Sequence, residues 1–266
     1  MGRCASPAAS LPTLWRVLIL LPPSEGKTQR RRGRALDLGD LSFPELTPLR
    51  EDVIDAVGVV SAGPDAHEIL GVSPNLVEEV ARNTRLRTAP TAPAGDVYSG
   101  VLYDALDLAS LDAAARRRAT RSVVVVSALF GAVRLNDRIP AYRLSMSVNL
   151  PGVGPLAKAW RPHLERVLTE AAGRGVVVDC RSSTYAAAWP PSTELAERWV
   201  QITVPGATHM AKHTRGLVTR HLCQHAGTPG TPKALADALT DRFDVDLVKP
   251  PKPGKPWTLK VTTKAP

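Results

Sequence analysis

The chain has little cysteine and no long apolar segment, and each absence excludes a class of protein. Its 266 residues include three cysteines, Cys4, Cys180 and Cys223, and so sparse and odd a set argues against a disulfide framework. The apolar run Val17–Leu21 is far shorter than the roughly 20 residues that a membrane-spanning helix needs. Nor does Met1–Leu21 have the form of a secretory signal, because an arginine interrupts its apolar part. We therefore predict a cytoplasmic protein with no membrane partner.

The balance of charge is basic and the hydrophobic content is ample. The formal net charge is +9, and 44% of the residues are hydrophobic. A basic chain attracts nucleic acid and other phosphate-bearing partners, although charge alone does not establish them. The length and hydrophobic content suit one large domain, which we place at residues 16–263. Residues 1–15 are predicted to be a poorly ordered extension, or a segment that is included only because the start codon is set too early.

A complete phosphate-binding P-loop is also missing. Pro23–Thr28 follows the first predicted strand and ends in Gly-Lys-Thr, but Leu21 stands where the P-loop pattern requires a glycine. Two interpretations of the loop stay open: a plain turn, or a loop that presents Ser24, Lys27 and Thr28 to an anion. Four arginines between Arg30 and Arg34 form either a solvated loop or an arm that contacts phosphate.

The stretch 122–146 carries the densest set of candidate residues. Val123–Val126 is an uninterrupted β-branched run, typical of a strand that is covered on both faces. From Tyr142 to Leu150 apolar and polar residues alternate, which predicts a second, half-buried strand. The connection carries Ser127 and Asp137, and we expect Arg143 to contact an anion and Asp137 to orient it. A structural turn is the alternative.

Strands and helices alternate along the chain. Strands are predicted to begin near Val17, Val123, Tyr142, Val176 and Val200. The predicted helices are Thr47–Val60, Asp65–Leu70, Asn75–Thr84, Asp104–Ala119, Leu156–Ala172, Thr208–Ala226 and a segment that begins at Pro232. This order predicts an α/β or α+β fold, with a mixed central sheet flanked by helices.

Two glycine-bearing strings resemble the hairpin of a helix-hairpin-helix. Leu70–Asn75 lies between two predicted helices, so Gly71 and Ser73 are candidates for contacts to a DNA phosphate. An ordinary packed helix pair explains the same pattern. Leu150–Pro155 matches the sequence pattern of such a hairpin more closely, but it follows a predicted strand. We therefore interpret it as a strand-to-helix turn.

The segment 208–226 contains histidines at the spacing of metal ligands. His209 and His213 form one pair four residues apart, and His221 and His225 form another. No carboxylate completes an HExxH motif, and the two pairs point in different directions. We predict no metal and no cofactor.

Five short strings, taken together, resemble the YaaA family of bacterial peroxide-stress proteins. In chain order they are Pro23–Thr28; Gly95–Gly100; Ser127-x-x-Phe130-Gly131-x-x-Arg134-x-x-Asp137 with Tyr142-Arg143-Leu144-x-Met146; Ser182-x-x-Tyr185; and Ala211-Lys212-x-x-Arg215-Gly216-Leu217. Each string is weak alone, but their order and spacing match from about Arg16 to Val261.

The resemblance implies a family-specific fold with a basic cleft, a helix-hairpin-helix near Leu70–Asn75, and a role in limiting iron-dependent peroxide damage. It implies binding of duplex or branched DNA with low sequence specificity; no protein partner is predicted. The residues expected to contact nucleic acid are Lys27, Gly71, Ser73, Arg143, Lys212 and Arg215.

An enzyme that acts on a phosphate-bearing or nucleic-acid substrate is the alternative function. Its candidate pocket is Ser24, Lys27, Tyr98, Ser127, Asp137, Tyr142, Arg143, Ser182 and Tyr185. Hydroxyls, a carboxylate and cations of this kind serve as nucleophile, base and anion stabiliser. However, no hydroxyl has an evident histidine partner, so the sequence leaves catalysis open.

Overall fold

β-strands form the centre of the molecule. The computed structural model describes residues 17–206 and 208–264, so the predicted extension at residues 1–15 lies outside the described residues. The strands are β1 Leu18–Leu21, β2 Ala92–Pro93, β3 Val123–Ser127, β4 Gly131–Arg134, β5 Arg138–Ile139, β6 Asn149–Leu150, β7 Gly154–Pro155, β8 Val177–Asp179, β9 Trp199–Thr203, β10 Phe243–Val248 and β11 Trp257–Thr263.

Seven of these strands form one mixed sheet in the order β10–β11–β9–β8–β1–β3–β4. The five inner strands run parallel, with Ile19 opposite Val123 on one side of β1 and opposite Val178 on the other. The two edge strands, β4 and β10, are antiparallel to their neighbours. The predicted mixed sheet is confirmed.

Helices flank this sheet. They are α1 Thr47–Ala62, α2 Ala66–Leu70, α3 Val77–Ala81, α4 Ala94–Val97, α5 Val101–Leu106, α6 Ala113–Ser122, α7 Leu156–Ala172, α8 Ser183–Ala186, α9 Thr193–Ala196, α10 Thr208–Gln224 and α11 Pro232–Leu239. The predicted bounds of α7 agree with the structure at both ends. None of the helices in the described ranges is long and apolar enough to cross a membrane.

The apolar runs of the sequence form the middle of the sheet. All four residues of Leu18–Leu21 and all four of Val123–Val126 are buried. Continuous apolar strands of this kind need cover on both faces, which the flanking helices provide. Because the inner strands are parallel, β1, β3, β8 and β9 all end at the same edge of the sheet. The segments that follow them are therefore brought together, and that edge is where ligands bind in open α/β sheets.

The prediction of one helix over Asp104–Ala119 is wrong. Helix α5 ends at Leu106 because Asp107 takes a left-handed conformation with φ of +42°. A new helix, α6, begins after Asp112, whose carboxylate accepts a hydrogen bond from the backbone N–H of Ala115. Arg118 is consequently not at its own helix end; its guanidinium instead donates to the carbonyls of Cys223 and Gln224 at the end of α10.

The prediction of a strand from Tyr142 to Leu150 is also wrong. Burial does alternate there, but only Asn149–Leu150 pairs, in a short ribbon with Gly154–Pro155. The backbone of Arg143 pairs instead with the side chain of Asn83. Period-two burial therefore reflects an extended segment that lies on the core without a neighbouring strand. The ribbon and the start of α7 confirm that Leu150–Pro155 is a strand-to-helix turn.

The segment around Gly71 is a tight turn between very short helices. Gly71 has φ of +62°, and the N–H groups of Gly71 and Val72 return to the carbonyls of Glu68 and His67, the bonding of a Schellman motif. The predicted left-handed glycine is confirmed. Helices α2 and α3 have five residues each, and α3 begins at Val77, with Glu78 and Glu79 in its first turn. A DNA-binding helix-hairpin-helix therefore stays a prediction.

Candidate functional site

The loop after β1 holds Lys27 over an aromatic ring. The Lys27 Nζ atom donates to the carbonyl of Ser24 at 2.6 Å and to that of Glu25 at 3.3 Å, and it lies 4.2 Å from the centre of the Tyr142 ring. The Ser24 hydroxyl donates to the carbonyl of Gly26 and accepts from the N–H of Ser99 at 3.0 Å. Ser24 thus stabilises the loop, and Lys27 holds its amine over the Tyr142 ring.

Burial changes the chemistry of this amine. The pKa of Lys27 is lowered from 10.5 to about 7, chiefly by desolvation and next by the neighbouring Arg143 guanidinium, while Glu25 partly opposes the change. Removing an ammonium from water disfavours the charged form, and a nearby cation acts in the same direction. Lys27 is therefore partly deprotonated near neutral pH, whereas a lysine amine in water is almost fully protonated there.

Arg143 is held at its backbone by a buried asparagine. The Asn83 amide oxygen accepts from the Arg143 N–H at 2.9 Å, and the Asn83 amide nitrogen donates to the Arg143 carbonyl at 2.8 Å and to Ser61 at 3.0 Å. The Arg143 guanidinium, 19% exposed, lies 3.5 Å from the carboxylate of Glu25, which is 79% exposed. Because the Glu25 carboxylate is so open to solvent, this ion pair is weak and leaves the guanidinium available to a stronger anion.

Lys27, Arg82 and Arg143 line one cavity of about 360 Å³, here called the Lys27 cavity. Tyr142 contributes to its wall, and its acids are Glu25 and Glu79. Arg82 also lines an adjoining cavity of about 210 Å³, together with Arg85. The buried Nε of Arg82 has no hydrogen-bond partner, although another atom of its guanidinium lies 3.9 Å from Glu79. The lining carries more positive than negative side chains, as an anion site requires.

Beneath the Lys27 cavity lies a chain of buried hydroxyls. The Tyr98 and Tyr142 hydroxyls are 3.1 Å apart, and that of Tyr142 is 2.8 Å from the hydroxyl of Ser127. Burial raises the pKa of both tyrosines. The Ser127 oxygen also accepts from the N–H groups of Leu129 and Phe130, so it stabilises the turn after β3. Ser127 is buried, and its place in this network suits support of Tyr142 rather than attack on a substrate.

Asp137 lies apart from Arg143, so the expectation that it orients Arg143 is wrong. One of its oxygens accepts from the hydroxyl of Ser42 at 2.8 Å and the other from the N–H of Arg134 at 2.8 Å. Its negative charge acts on Arg50, a fully buried arginine whose pKa desolvation lowers to about 10. Arg50 donates to the carbonyls of Phe130 and Ala132. Asp137 and Arg50 therefore stabilise the turns around β4.

Tyr185 lies in α8, the short helix after β8, and is not among the residues that line the Lys27 cavity. The charges of Glu25 and Arg143 act on it, and burial raises its pKa to about 12. Arg181 positions this segment: it pairs with Asp179 in the interior at 2.8 Å and donates to the Tyr185 carbonyl at 3.2 Å. Ser182, by contrast, is exposed at the start of α8. The assignment of Ser182 and Tyr185 to the pocket therefore stays a prediction.

The remaining predicted contacts lie outside the Lys27 cavity. Gly71 and Ser73 are exposed on the turn between α2 and α3. Lys212 is exposed on α10. Arg215 donates to the carbonyl of Ile202 in β9 at 3.2 Å and lies beside Cys180 at the end of β8. None of these four residues lines the cavity.

Sequence reasoning missed Asn83 and undervalued Arg82. Asn83 is buried in a helical turn, and no local pattern marks it as the residue that fixes Arg143. Arg82 is absent from the predicted site, although its charge acts on Lys27. Both roles depend on contacts with residues some 60 positions away along the chain.

One histidine of α10, His221, has partners other than a metal. Within residues 17–206 and 208–264, no three or more His, Cys, Asp or Glu side chains are grouped so that they could hold a metal ion. The His221 Nε2 atom lies 2.8 Å from the carbonyl of Ala238, and its ring packs edge-on against Phe243. These contacts fasten α10 to the C-terminal part of the sheet.

A family model described as peroxide stress protein YaaA matches residues 17–247. The chain belongs to the YaaA family. The matched range contains every residue described above for the Lys27 cavity, and membership in YaaA supports a role in peroxide stress. The residue strings that resemble this family therefore identified it correctly.

Proteins similar to this YaaA-family chain share most of its length. The UPF0246 protein SCO2297 of Streptomyces coelicolor is 50% identical over 254 residues, which cover 92% of this chain and 98% of that protein. The UPF0246 protein CE1889 of Corynebacterium efficiens is 40% identical over 228 residues, covering 83% and 91% respectively. The UPF0246 protein Cgl1995/cg2186 of Corynebacterium glutamicum is 37% identical over 214 residues, covering 77% and 84%.

Proposed function

We propose that this chain serves in peroxide stress by binding DNA, and that the Lys27 cavity receives a backbone phosphate. The observation that carries the proposal is the convergence of Lys27, Arg82 and Arg143 on one cavity at the ligand-binding edge of the sheet. Guanidinium groups bind phosphate oxygens through charge-assisted hydrogen bonds. The binding would follow the shape and charge of duplex or branched DNA, with little dependence on base sequence.

The net charge of +9 supports the same proposal at longer range. It would draw a polyanion toward the protein before any close contact forms. The proposal assigns further phosphates of the same strand to the Gly71–Ser73 turn and to the side chains of Lys212 and Arg215. Contacts of this kind give affinity that falls steeply as the salt concentration rises.

Charge removal at Arg143 tests the proposal. Binding of a fluorescent duplex and of a branched junction is measured by anisotropy for the wild type, Arg143→Gln and Arg166→Gln, the last at an exposed arginine on α7. We expect Arg143→Gln to weaken binding about tenfold or more, since a hydrogen bond to a charged group contributes about 1.5–3 kcal/mol. Arg166→Gln should bind as the wild type does. Absence of binding by the wild type at low salt would overturn the proposal.

A second candidate function is an enzyme that acts on a phosphate-bearing substrate in the same cavity. The observation that favours it is the Lys27 amine, whose pKa of about 7 suits proton transfer or nucleophilic attack at neutral pH. Asp137 has no part in it, because its carboxylate is bound at the β4 turns. Replacement Lys27→Ala should abolish turnover while the protein still folds; retained turnover would exclude Lys27 as the reactive group.

A further inference from the structure

The Lys27 amine is arranged as a nucleophile as well as a cation. A neutral amine has two N–H bonds and one lone pair, and two backbone carbonyls, those of Ser24 and Glu25, lie at 2.6 and 3.3 Å to accept the two N–H bonds. The Tyr142 ring covers the amine at 4.2 Å, and the hydroxyl network behind the ring holds Tyr142 in place. The lone pair of the neutral amine is then left for a ligand in the cavity.

The lining of the cavity selects the kind of ligand that this amine would meet. Arg82 and Arg143 suit a phosphate, and a volume of about 360 Å³ has room for a sugar attached to it. Lysine amines in desolvated pockets react with carbonyl carbon to form Schiff bases. A ligand that carries both a phosphate and an aldehyde would satisfy all three side chains.

We propose that Lys27 forms an imine with a phosphate-bearing aldehyde, such as the opened sugar of an abasic nucleotide. This inference rests on the proposed phosphate-binding role of the Lys27 cavity and adds a covalent step to it. The shared chemistry has two sources, an abasic site within a DNA strand and a free sugar phosphate, and the experiment separates them.

The step balances without an oxidant or a reductant. The lone pair of Nζ attacks the aldehyde carbon, a C–N bond forms, and the electron pair of the C=O π bond moves to oxygen, which takes a proton from solvent. The nitrogen of this carbinolamine loses a proton. A second solvent proton then converts the hydroxyl to water, which leaves as the C=N bond forms. The products are one iminium ion on Lys27 and one water molecule.

The pH dependence follows from the groups around the amine. Arg143 and Arg82 lower the pKa of Lys27 in addition to burial, Glu25 raises it, and the rings of Tyr98 and Tyr142 lie 5.7 and 4.2 Å from the amine. Glu79 is the other charged group of the lining. About half of the amine is neutral near pH 7, so adduct formation should rise as the pH increases through that value.

Reductive trapping tests the inference. The protein is incubated with an oligonucleotide that contains one abasic site, or with free deoxyribose 5-phosphate, and cyanoborohydride reduces any imine to a stable amine. Lys27→Arg keeps the positive charge but cannot form an imine, and Lys233→Arg is the matched control at an exposed lysine of α11. We expect trapping by the wild type and by Lys233→Arg, at least a tenfold loss in Lys27→Arg, and a modified Lys27 peptide in the wild type.

The outcomes distinguish this inference from the proposed function. An adduct that maps to another lysine, or that persists in Lys27→Arg, overturns the inference. Absence of any adduct while the oligonucleotide still binds overturns it and leaves DNA binding standing, whereas loss of binding as well removes both. An adduct on Lys27 with only one of the two aldehydes supports the inference and identifies the source. Peptide mapping of the wild type decides the matter even if Lys27→Arg fails to fold.

Discussion

At the scale of one residue, Lys27 shows how a side chain in a binding site lowers the stability of the folded protein. Its amine is largely removed from water, and desolvation is the main reason that its pKa falls from 10.5 to about 7. Below pH 7 the folded protein holds a desolvated ammonium, which is unfavourable. Lys27 lines a cavity together with Arg82 and Arg143, so a functional role would explain why a costly charge stands there.

We expect Lys27→Met to raise the free energy of unfolding by about 1–3 kcal/mol near pH 6, because replacing a desolvated charge with an apolar side chain removes its desolvation cost. Between about pH 7 and 10.5 the folded wild type binds fewer protons than the unfolded chain, so its stability rises with pH. The advantage of methionine should therefore shrink over that range. Urea unfolding at several pH values measures it.

The matched control for this substitution is Lys233→Met, at an exposed lysine of α11. It should leave the free energy of unfolding nearly unchanged, as surface substitutions usually do. If Lys27→Met destabilised the protein at every pH, the ammonium would be stabilised in the fold by its carbonyl and ring contacts. The cost assigned to its burial would then be wrong.

At the scale of elements, the contact between α5 and α10 depends on one glycine. A Cβ atom at Gly216 would lie 2.2 Å from the carbonyl oxygen of Leu102 and 2.8 Å from the Cβ of Ala105. The two helices therefore approach more closely than any side chain permits. Because Arg215 immediately precedes Gly216, this contact also determines where Arg215 meets the end of β9.

Gly216→Ala should destabilise the protein by about 2–4 kcal/mol, since α5 and α10 must separate to accept the methyl group. The control is Gly58→Ala in α1, where the nearest atom to a new Cβ would be the Asn83 carbonyl oxygen at 3.7 Å. That change should be neutral or stabilising by up to about 1 kcal/mol, because alanine favours a helix over glycine. Equal effects of the two substitutions in denaturant unfolding would refute the role assigned to Gly216.

At the scale of the whole molecule, the question is how far the binding surface extends beyond the Lys27 cavity. Lys212 is exposed on α10 and does not line the cavity. If one DNA strand runs along this edge of the sheet, Lys212 neutralises a phosphate other than the one bound by Arg143.

We expect Lys212→Gln to make the slope of log K against log salt less steep by about 1, the change for one lost phosphate contact on duplex DNA. Lys233→Gln removes the same charge from another exposed site and should leave the slope unchanged. Both variants should unfold as the wild type does. Identical slopes for Lys212→Gln and the wild type would place the DNA away from α10.

Much of the fold could be predicted because its signals are local. A run such as Val123–Val126 can be satisfied only between two covered faces, and it forms a central strand. Gly71 takes the left-handed conformation that its place after a short helix indicated. The alternation of apolar and polar residues after Tyr142 led to a wrong strand prediction. It shows which side chains are buried, but not whether a neighbouring strand is present. The sequence did not predict the edge strand β10, because its pairing depends on the neighbouring strand β11 and not on a local pattern.

The candidate site was only partly predictable. The sequence by itself determined the chemical types that are present, the basic balance and the family strings that carry Lys27, Tyr142 and Arg143. Only the tertiary structure decided that Lys27 lies over Tyr142, that Asn83 holds Arg143, and that Asp137 binds Ser42 instead. Local patterns report burial and backbone conformation over a few residues. Contacts between residues 60 to 118 positions apart arise when parallel strands bring their ends to one edge, and no local pattern encodes that distance.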